Sequence, residues 1–268
     1  APAPGGSAAP AFTETNAASL VVLDRSRGTT EPAPNCTAMP SGTEKTACVL
    51  TVDEDKDIGH ITTKPVTDDN DDMRATQITR MNDNRWAVVM GNGYNSVNQR
   101  PVLLIQYLDG DKKLLRLQTT TDATDSGKAA DNGLGAPRLV DLNGDGRVDI
   151  AYAGDNLGNL WKFDLTSATA SNWAVAFGGA PLFTASGPAA LNGTTRPKVQ
   201  PISTPPTVRA NDRMKTVGTG TNAKNVRVGG MMVAFGTGRN VGRTDPESVD
   251  VQTLYSVLDN TRYREVGT

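Results

Sequence analysis

From Arg80 onward, apolar and polar residues alternate in short runs that are separated by glycine turns. Each of three loosely similar units has an apolar run, a turn that contains Gly, and a second run that ends at or close to an Asp. Alternation with a period of two indicates β-strands, and a Gly turn between two such runs predicts an antiparallel hairpin. The units read RWAVVMGNGYN with PVLLIQYLDGDKKLLRL, RVDIAYAGDNLGN with LWKFDL, and GMMVAFGTGRN with QTLYSVLDN.

These hairpins predict an all-β fold, namely a modified or partial β-propeller in which several small sheets stack around an axis. A β-sandwich is the alternative architecture. The glycine turns lie near residues 91, 154 and 236, so the period is irregular. Three units do not close a propeller, which has about four blades or more. Either the first 79 residues supply an irregular blade or the chain is part of a longer one, and the second interpretation is favoured.

The pattern divides the chain into three parts. Residues 1–18 are rich in Pro and small residues and are predicted to form a flexible linker or N-terminal segment. Residues 19–78 are predicted to form an irregular β region with a disulfide loop, with strands at Ser19–Asp24 and Ala47–Val52. Residues 79–268 are predicted to hold the propeller blades. No window shows a convincing amphipathic helical pattern.

Charge and cysteine content narrow the possible functions. The formal net charge of −2 leaves no excess of Lys and Arg to neutralise phosphates, which argues against nucleic acid as a partner. The chain has no run of about 18 apolar residues, so it is predicted not to be transmembrane. Cys36 and Cys48 are predicted to form a disulfide across a short polar loop, with two unpaired thiols as the alternative. A disulfide implies an oxidising compartment.

The stretch DLNGDGRVD matches the first nine positions of a calcium-binding loop. Calcium binds about six to eight oxygen atoms, and a chain that curls around the ion supplies them from alternate residues. The first, third, fifth and ninth positions are Asp141, Asn143, Asp145 and Asp149, while Arg147 at the seventh position offers its backbone carbonyl. The sequence therefore predicts a calcium site, with an Asp/Asn/Gly turn that binds no metal as the alternative.

The match ends at the twelfth position, where a bidentate Glu is expected and Tyr152 stands. Asp149, water, or a ligand from elsewhere would have to supply the missing oxygen, and Asp155 is one candidate. Residues 148–153 alternate as a strand does, so calcium is expected to clip the entry of a strand and hold the hairpin that follows. Three carboxylates without a Glu predict modest affinity, on the order of micromolar to millimolar.

With this loop and three flanking motifs, the chain resembles the PilC/PilY family of type IV pilus-tip-associated adhesins and biogenesis factors. The resemblance covers about residues 79 to 260, and residues 1–78 match nothing recognisable. Family members are usually far longer than this chain. The motifs are DLNGDGRVDIAYAGDNLGNLWKFDL (Asp141–Leu165), RWAVVMGNGYNS (Arg85–Ser96), MMVAFGTGRNVGRTD (Met231–Asp245) and QTLYSVLDN (Gln252–Asn260).

The resemblance implies a C-terminal modified β-propeller that binds Ca²⁺. It also implies an extracellular protein at the pilus tip or on the bacterial outer-membrane surface, with roles in pilus biogenesis, twitching motility and surface adhesion. Minor pilins and the pilus-tip complex are the implied partners, together with a host or surface ligand. The implied calcium ligands are Asp141, Asn143, Asp145, the Arg147 carbonyl and Asp149.

Two other function classes compete with this interpretation. An enzyme is disfavoured because the single His, His60, lies in a polar stretch and is predicted to be a surface residue, and because no nucleophile–base arrangement is visible. A generic calcium-dependent propeller that binds sugar or matrix, unrelated to pili, is the main alternative. A pilus factor should co-purify with minor pilins, whereas a lectin should bind a glycan alone. Trp86 and Trp161 occupy strand positions and are predicted to be core residues rather than ligand platforms.

Overall fold

The structure, a computed structural model, describes residues 13–15, 23, 25, 35–68, 76–119, 132–187 and 200–261. The flexible segment predicted at residues 1–18 and the strand predicted at Ser19–Asp24 fall almost wholly outside these residues. The described strands, in chain order, are β1 Ile78–Met81, β2 Trp86–Gly91, β3 Val102–Tyr107, β4 Leu114–Gln118, β5 Arg138–Val140, β6 Arg147–Val148, β7 Ile150–Gly154, β8 Asn159–Asp164, β9 Ala174–Val175, β10 Phe183–Thr184, β11 Thr207–Ala210, β12 Met214–Val217, β13 Lys224–Arg227, β14 Met231–Gly236 and β15 Leu254–Asp259.

The first repeat forms a five-stranded sheet, sheet one, with the strand order β4-β3-β2-β1-β6. Its first four strands are antiparallel neighbours in sequence, as alternation and glycine turns predict. The fifth strand, β6, pairs parallel with β1, with Met81 opposite Val148. Sheet one therefore includes the end of the predicted calcium loop, which the sequence pattern did not indicate.

The second and third repeats form two further sheets. Sheet two has the order β10-β8-β7-β5, with β9 beside β8, and sheet three has the order β11-β14-β15. The β7–β8 turn requires glycine at Gly158, whose φ is 78° and where a Cβ would lie 2.7 Å from the Gln200 carbonyl oxygen. Between β11 and β14, the strands β12 and β13 form a separate two-stranded hairpin. The predicted strand pairs are thus confirmed in all three repeats.

Sheet two packs against a neighbouring sheet on each of its faces. Successive residues of a strand point to opposite faces, so Ala151 joins a core shared with sheet one, whereas Tyr152 joins a core shared with sheet three. Trp161 is fully buried in the first core, as predicted, and Phe235 of sheet three lies in the second. The prediction that Trp86 is a core residue is wrong: it begins an alternating strand on the outward face and is 50% exposed.

One segment predicted as a strand is helical. Residues Ala47–Val52 lie within an α-helix, α1, which spans Thr43–Asp55, so this part of the predicted irregular β region is corrected. The run CVLTV has strand-like composition, but tertiary contacts override such a local preference. No helix of the described residues is long and apolar enough to cross a membrane. Short 3₁₀ turns occur at Cys36–Ala38, Ala170–Asn172, Phe177–Gly179, Gly220–Asn222 and Asp245–Glu247.

The contacts that hold α1 are covalent and ionic. The disulfide predicted between Cys36 and Cys48 is present and ties the helix to the segment before it. Beyond the helix, the fully buried Asp57 accepts hydrogen bonds from Arg100 at 2.8 and 3.0 Å and from Arg116 at 2.7 Å. Burial acts to raise the pKa of Asp57, but the bonds from these two arginines and from a neighbouring amide outweigh burial and lower it. Arg116 also pairs with Asp53 of α1, so these polar contacts link the end of the helix to sheet one.

A second buried ion pair joins sheets two and three. The Lys162 ammonium lies 2.5 Å from Oδ2 of Asp259, and the Tyr152 hydroxyl donates a hydrogen bond to the same oxygen at 2.5 Å. Burial acts to raise the pKa of Asp259, yet the hydrogen bonds from Lys162, Thr261 and Tyr152 outweigh it and keep this pKa below the ordinary value. Because both charged groups are almost fully buried, each depends on the other for its stabilisation.

Candidate metal centre

The predicted calcium loop lies between β5 and β7, at the junction of sheets one and two. Two glycines let the chain curl there: Gly144 has a φ of 79° and Gly146 a φ of 83°. This left-handed region costs glycine little and is unfavourable for residues that carry a Cβ. Both positions face open space, so the backbone conformation, and not crowding, explains the glycines.

The first half of the loop is organised by side-chain oxygens that accept backbone hydrogen bonds. Oδ1 of Asp141 accepts from the N–H groups of Asn143, Gly144 and Asp145 at 2.7–3.3 Å, and Oδ2 accepts from the Gly146 N–H at 2.7 Å. Further along, Asn143 Oδ1 accepts from the Asp145 N–H at 3.0 Å. Asp145 Oδ1 accepts from the Arg147 N–H at 2.9 Å. The side-chain oxygens of the first, third and fifth positions thus all point toward backbone N–H groups of the loop.

Asp149 differs from the other acidic residues of the loop because it is buried and held from two sides. Its Oδ2 accepts a hydrogen bond from the Leu142 N–H at 2.7 Å, which closes the loop on itself. Its Oδ1 accepts from the side-chain amide of Asn82 at 3.0 Å. Asp149 is 5% exposed, whereas Asp141 and Asp145 are exposed. The position that the sequence singled out as the closing ligand is therefore the buried one among the three acidic positions of the loop.

At Asp149 the chain passes from sheet one into sheet two. Val148 pairs with β1 in sheet one, and Ile150 begins β7 in sheet two. The backbone of Asp149 belongs to sheet two as well, because its N–H donates to the Val140 carbonyl at 2.9 Å and its carbonyl accepts from the Leu165 N–H at 2.8 Å. The loop is thus more than the entry of one strand, since it connects two sheets.

Asn82, in the turn between β1 and β2, strengthens this connection. Its amide nitrogen lies 2.9 Å from the Val148 carbonyl oxygen, 3.0 Å from Asp149 Oδ1 and 2.9 Å from the Leu165 carbonyl oxygen. Sequence reasoning missed this residue. Its turn sequence, MNDNR, carries no metal motif, and all three partners are distant along the chain, so only the fold brings them together.

The donor set of the loop suits a hard cation. Three carboxylates, the Asn143 amide oxygen and the Arg147 carbonyl provide only oxygen ligands, which calcium prefers. In the conformation described, no three acidic, His or Cys side chains among the described residues converge closely enough to hold an ion. The Arg147 side chain lies alongside, with Nη1 3.9 Å from Asp145 Oδ2. The ligand chemistry therefore fits calcium, and the carboxylates are held at present by backbone and amide donors.

Tyr152, which stands at the twelfth position, and Asp155, a candidate for the missing ligand, are both directed away from the loop. Tyr152 is fully buried and directs its hydroxyl to Asp259. Asp155 follows the far end of β7 and accepts hydrogen bonds from Trp161 Nε1 at 2.8 Å and from the Asn159 amide at 3.0 Å. Burial raises the pKa of Asp155 despite these bonds. Asp155 therefore organises the β7–β8 turn and is not a calcium ligand in this arrangement.

The chain is similar to proteins whose names refer to type IV pilus biogenesis. A family model described as the PilY1 beta-propeller domain matches residues 49–268. The type IV pilus biogenesis factor PilY1 of Pseudomonas aeruginosa strain PAO1 is 32% identical over 226 residues, which cover 78% of this chain and 16% of that protein. A PilY1 homolog of Xylella fastidiosa is 31% identical over 210 residues, 72% of this chain and 13% of its own length. The chain therefore spans less than a fifth of the length of these relatives.

A solved structure gives the same result for the fold. The crystal structure of the Pseudomonas aeruginosa PilY1 C-terminal domain is 33% identical and superposes with a TM-score of 0.55. The match covers 78% of this chain and 39% of that chain. Together with the family model, it confirms the predicted modified or partial β-propeller and the predicted family resemblance.

Proposed function

Because the chain belongs to the PilY1 β-propeller family, we propose that it is part of a secreted protein and that this part binds calcium. The protein acts in type IV pilus biogenesis, twitching motility and surface adhesion. The observation that carries the calcium proposal is the loop from Asp141 to Asp149, with its left-handed glycines and inward-turned oxygens. The names of the relatives support the pilus context, because they are type IV pilus biogenesis factors.

Five groups would hold the ion: the side chains of Asp141, Asn143, Asp145 and Asp149 and the backbone carbonyl of Arg147. When bound, calcium supplies the positive charge that offsets the repulsion between the three carboxylates. Asp149 keeps its place at the sheet junction through Asn82 and the Leu142 N–H. A ligand that is already oriented loses less conformational entropy on binding, so we assign Asp149 the largest share of the affinity.

The mechanical consequence follows from where the loop lies. Without calcium, the repulsion among three carboxylates loosens the turn and, through Asp149, the contact between sheets one and two. Binding to the ordered form alone stabilises that form by RT ln(1 + [L]/Kd), which is about 2.7 kcal/mol at a hundredfold excess of calcium over Kd. This is enough to shift the balance between the loosened and the ordered form when their free energies differ by a similar amount. Surfaces on these two sheets then respond to calcium.

We further propose that the partners are minor pilins and the pilus-tip complex, with a host or surface ligand for adhesion, and that the protein carries out no chemistry of its own. The disulfide between Cys36 and Cys48 supports an extracellular location, because such bonds persist in oxidising compartments. His60, the single histidine, is exposed and stacks on the Tyr94 ring, with the ring centroids 5.2 Å apart, which suits a structural role.

The test replaces Asp149 with Ala. Calorimetry on the purified chain is expected to show calcium binding for wild type and weaker binding, by about tenfold or more, for Asp149→Ala. Asp212→Ala, which removes an exposed acid in the connection between β11 and β12, is the matched control and is expected to bind like wild type. Absence of calcium binding by wild type at millimolar concentration would overturn the calcium proposal.

The same variants, introduced into the full-length protein of the host bacterium, test the pilus role. Loss of calcium-dependent change in pilus number, twitching and attachment is expected for Asp149→Ala at wild-type protein abundance. Normal values of all three across calcium concentrations would leave the ion a structural role only. Co-purification with minor pilins distinguishes a pilus factor from a general calcium-dependent propeller, which would bind a glycan without them.

A further inference from the structure

The sequence contains four Asn-Gly pairs, and this dipeptide carries a chemistry of its own. The backbone nitrogen of the residue after an asparagine can attack the side-chain carboxamide, and glycine hinders that attack least because it has no Cβ. Whether the attack occurs depends on how the fold holds each asparagine. The pairs begin at Asn92, Asn132, Asn143 and Asn192, of which the last lies outside the described residues.

Two of the described pairs are locked in the interior. Asn92 is fully buried, and its amide nitrogen donates to the carbonyls of Asp57 and Arg100 at 2.8 and 2.9 Å. Asn132 is 2% exposed, and its side-chain oxygen accepts the Asn156 N–H at 3.1 Å. An attack at either residue would break such bonds in a place from which water is excluded, and water is needed to complete the reaction. Both pairs are therefore protected by the fold.

Asn143 and Gly144, in the predicted calcium loop, are exposed. The Asn143 side-chain oxygen accepts the Asp145 N–H at 3.0 Å, which folds the carboxamide back along the backbone that follows it. A Cβ built on Gly144 would meet nothing within 4 Å, so there is space for a ring to form. The Gly144 N–H donates to Oδ1 of Asp141 at 2.7 Å, so a carboxylate lies beside the proton that this nitrogen must lose.

We propose that Asn143 is a site of spontaneous deamidation, at which the folded chain converts the third position of the loop into aspartate and isoaspartate. The Gly144 nitrogen loses its proton and forms a bond to Cγ of Asn143, while the bond from Cγ to the amide nitrogen breaks and ammonia leaves. Water then opens the resulting succinimide ring. Cleavage of the new bond at Cγ gives aspartate, and cleavage at the main-chain carbonyl carbon gives isoaspartate.

The modification alters the loop in either case. Aspartate adds a carboxylate to the three that the loop already holds, and isoaspartate lengthens the main chain by a methylene, which displaces Asp145 from Asp141. A cation held by the Asn143 side-chain oxygen would keep the carboxamide in the ring, so the calcium-free loop is the reactive form. This link to calcium rests on the proposed function, whereas the modification itself does not.

Peptide mapping by mass spectrometry tests the site in the purified chain, kept in mildly alkaline buffer with a calcium chelator. The peptide that contains Asn143 is expected to gain the mass difference between NH and O, and isoaspartyl methyltransferase should label part of it. The peptides that contain Asn92 and Asn132 are internal controls, which should stay unmodified in the folded chain and deamidate in urea. Asn143→Gln, which would need a larger ring, should abolish the modification at this position.

An unmodified Asn143 in the folded chain, or equal rates at Asn143, Asn92 and Asn132 before unfolding, would overturn the proposal. A second arm adds calcium at a tenfold excess over the Kd from calorimetry, which should slow the reaction about tenfold because the free loop is depleted by that factor. Sodium chloride at the same ionic strength is the control and should leave the rate unchanged.

The calcium arm separates the two proposals. An unchanged rate in a chain that calorimetry shows to be calcium-bound would overturn the link between calcium and deamidation. Deamidation confined to Asn143, in a chain that binds no calcium and reacts at the same rate with and without it, would support the modification site and overturn the proposed calcium function.

Discussion

Replacing Asn82 with Ala tests whether the proposed calcium loop joins sheets one and two. The two N–H bonds of this amide serve three acceptors: the carbonyls of Val148 and Leu165 and the carboxylate of Asp149. A hydrogen bond between neutral groups contributes about 0.5 to 1.5 kcal/mol, and one to a charged group about 1.5 to 3 kcal/mol. Since only two hydrogens are shared, Asn82→Ala should lower the free energy of unfolding by about 2 to 4 kcal/mol.

The same substitution should weaken calcium binding although Asn82 is not a ligand. Without the amide, Asp149 is held only by the Leu142 N–H and can rotate away from the loop. Loss of a group that orients a ligand typically lowers metal affinity about 10- to 100-fold. When a chelator removes calcium, Asn82→Asp should lower the free energy of unfolding more than Asn82→Ala does. The reason is that Asn82→Asp places a second carboxylate beside Asp149. Calcium should reduce that difference.

Urea denaturation with and without calcium, together with calorimetric titration, measures both effects. Asn222→Ala, on an exposed turn, is the matched control and should behave like wild type. Wild-type stability and wild-type calcium affinity in Asn82→Ala would refute the reasoning, because the amide contacts would then contribute nothing to either property. A loss of stability with unchanged calcium affinity would mean that Asn82 stabilises the fold but does not orient Asp149 for binding.

Two further predictions concern the disulfide and the buried carboxylates that help to hold the fold. Reducing the Cys36–Cys48 disulfide should lower the free energy of unfolding by about 3 kcal/mol, with faster hydrogen exchange in α1 than in the sheets; identical urea curves with and without reductant would contradict this. The pKa values of Asp57 and Asp259 lie below the ordinary value of 3.8, so their contribution to stability is present above pH 3.8 and is lost as the pH falls through the lowered values. Urea denaturation from neutral pH into this acid range should show the loss, and Asp57→Asn should flatten it; an equal pH slope in that variant would argue against this role for Asp57.

Local periodicity in the sequence determined much of the strand content. The alternating runs around Gly91, Gly154 and Gly236 produce the antiparallel pairs β2–β3, β7–β8 and β14–β15. The order of oxygen-bearing residues from Asp141 to Asp149 likewise defines the candidate loop from the sequence alone. These features depend on residues that are close in sequence, so the backbone period and the turn preferences are sufficient to predict them.

Where several local choices were open, the tertiary structure decided. Ala47–Val52 has the composition of a strand, yet it is helical next to a disulfide and an ionic anchor that join it to distant residues. Trp86 has an ordinary strand pattern, and only the packing of sheets one and two shows that its face is the outer one. Periodicity cannot distinguish the two faces of a strand when both carry large side chains.

The connection between the sheets was likewise invisible in the sequence. β6 pairs parallel with β1, and Asn82 meets Asp149, although these residues are far apart in the chain. Such contacts depend on strand order and sheet stacking, which no single stretch of sequence encodes. The sequence alone therefore identified the candidate calcium ligands, and the fold alone showed that they lie at the junction between two sheets.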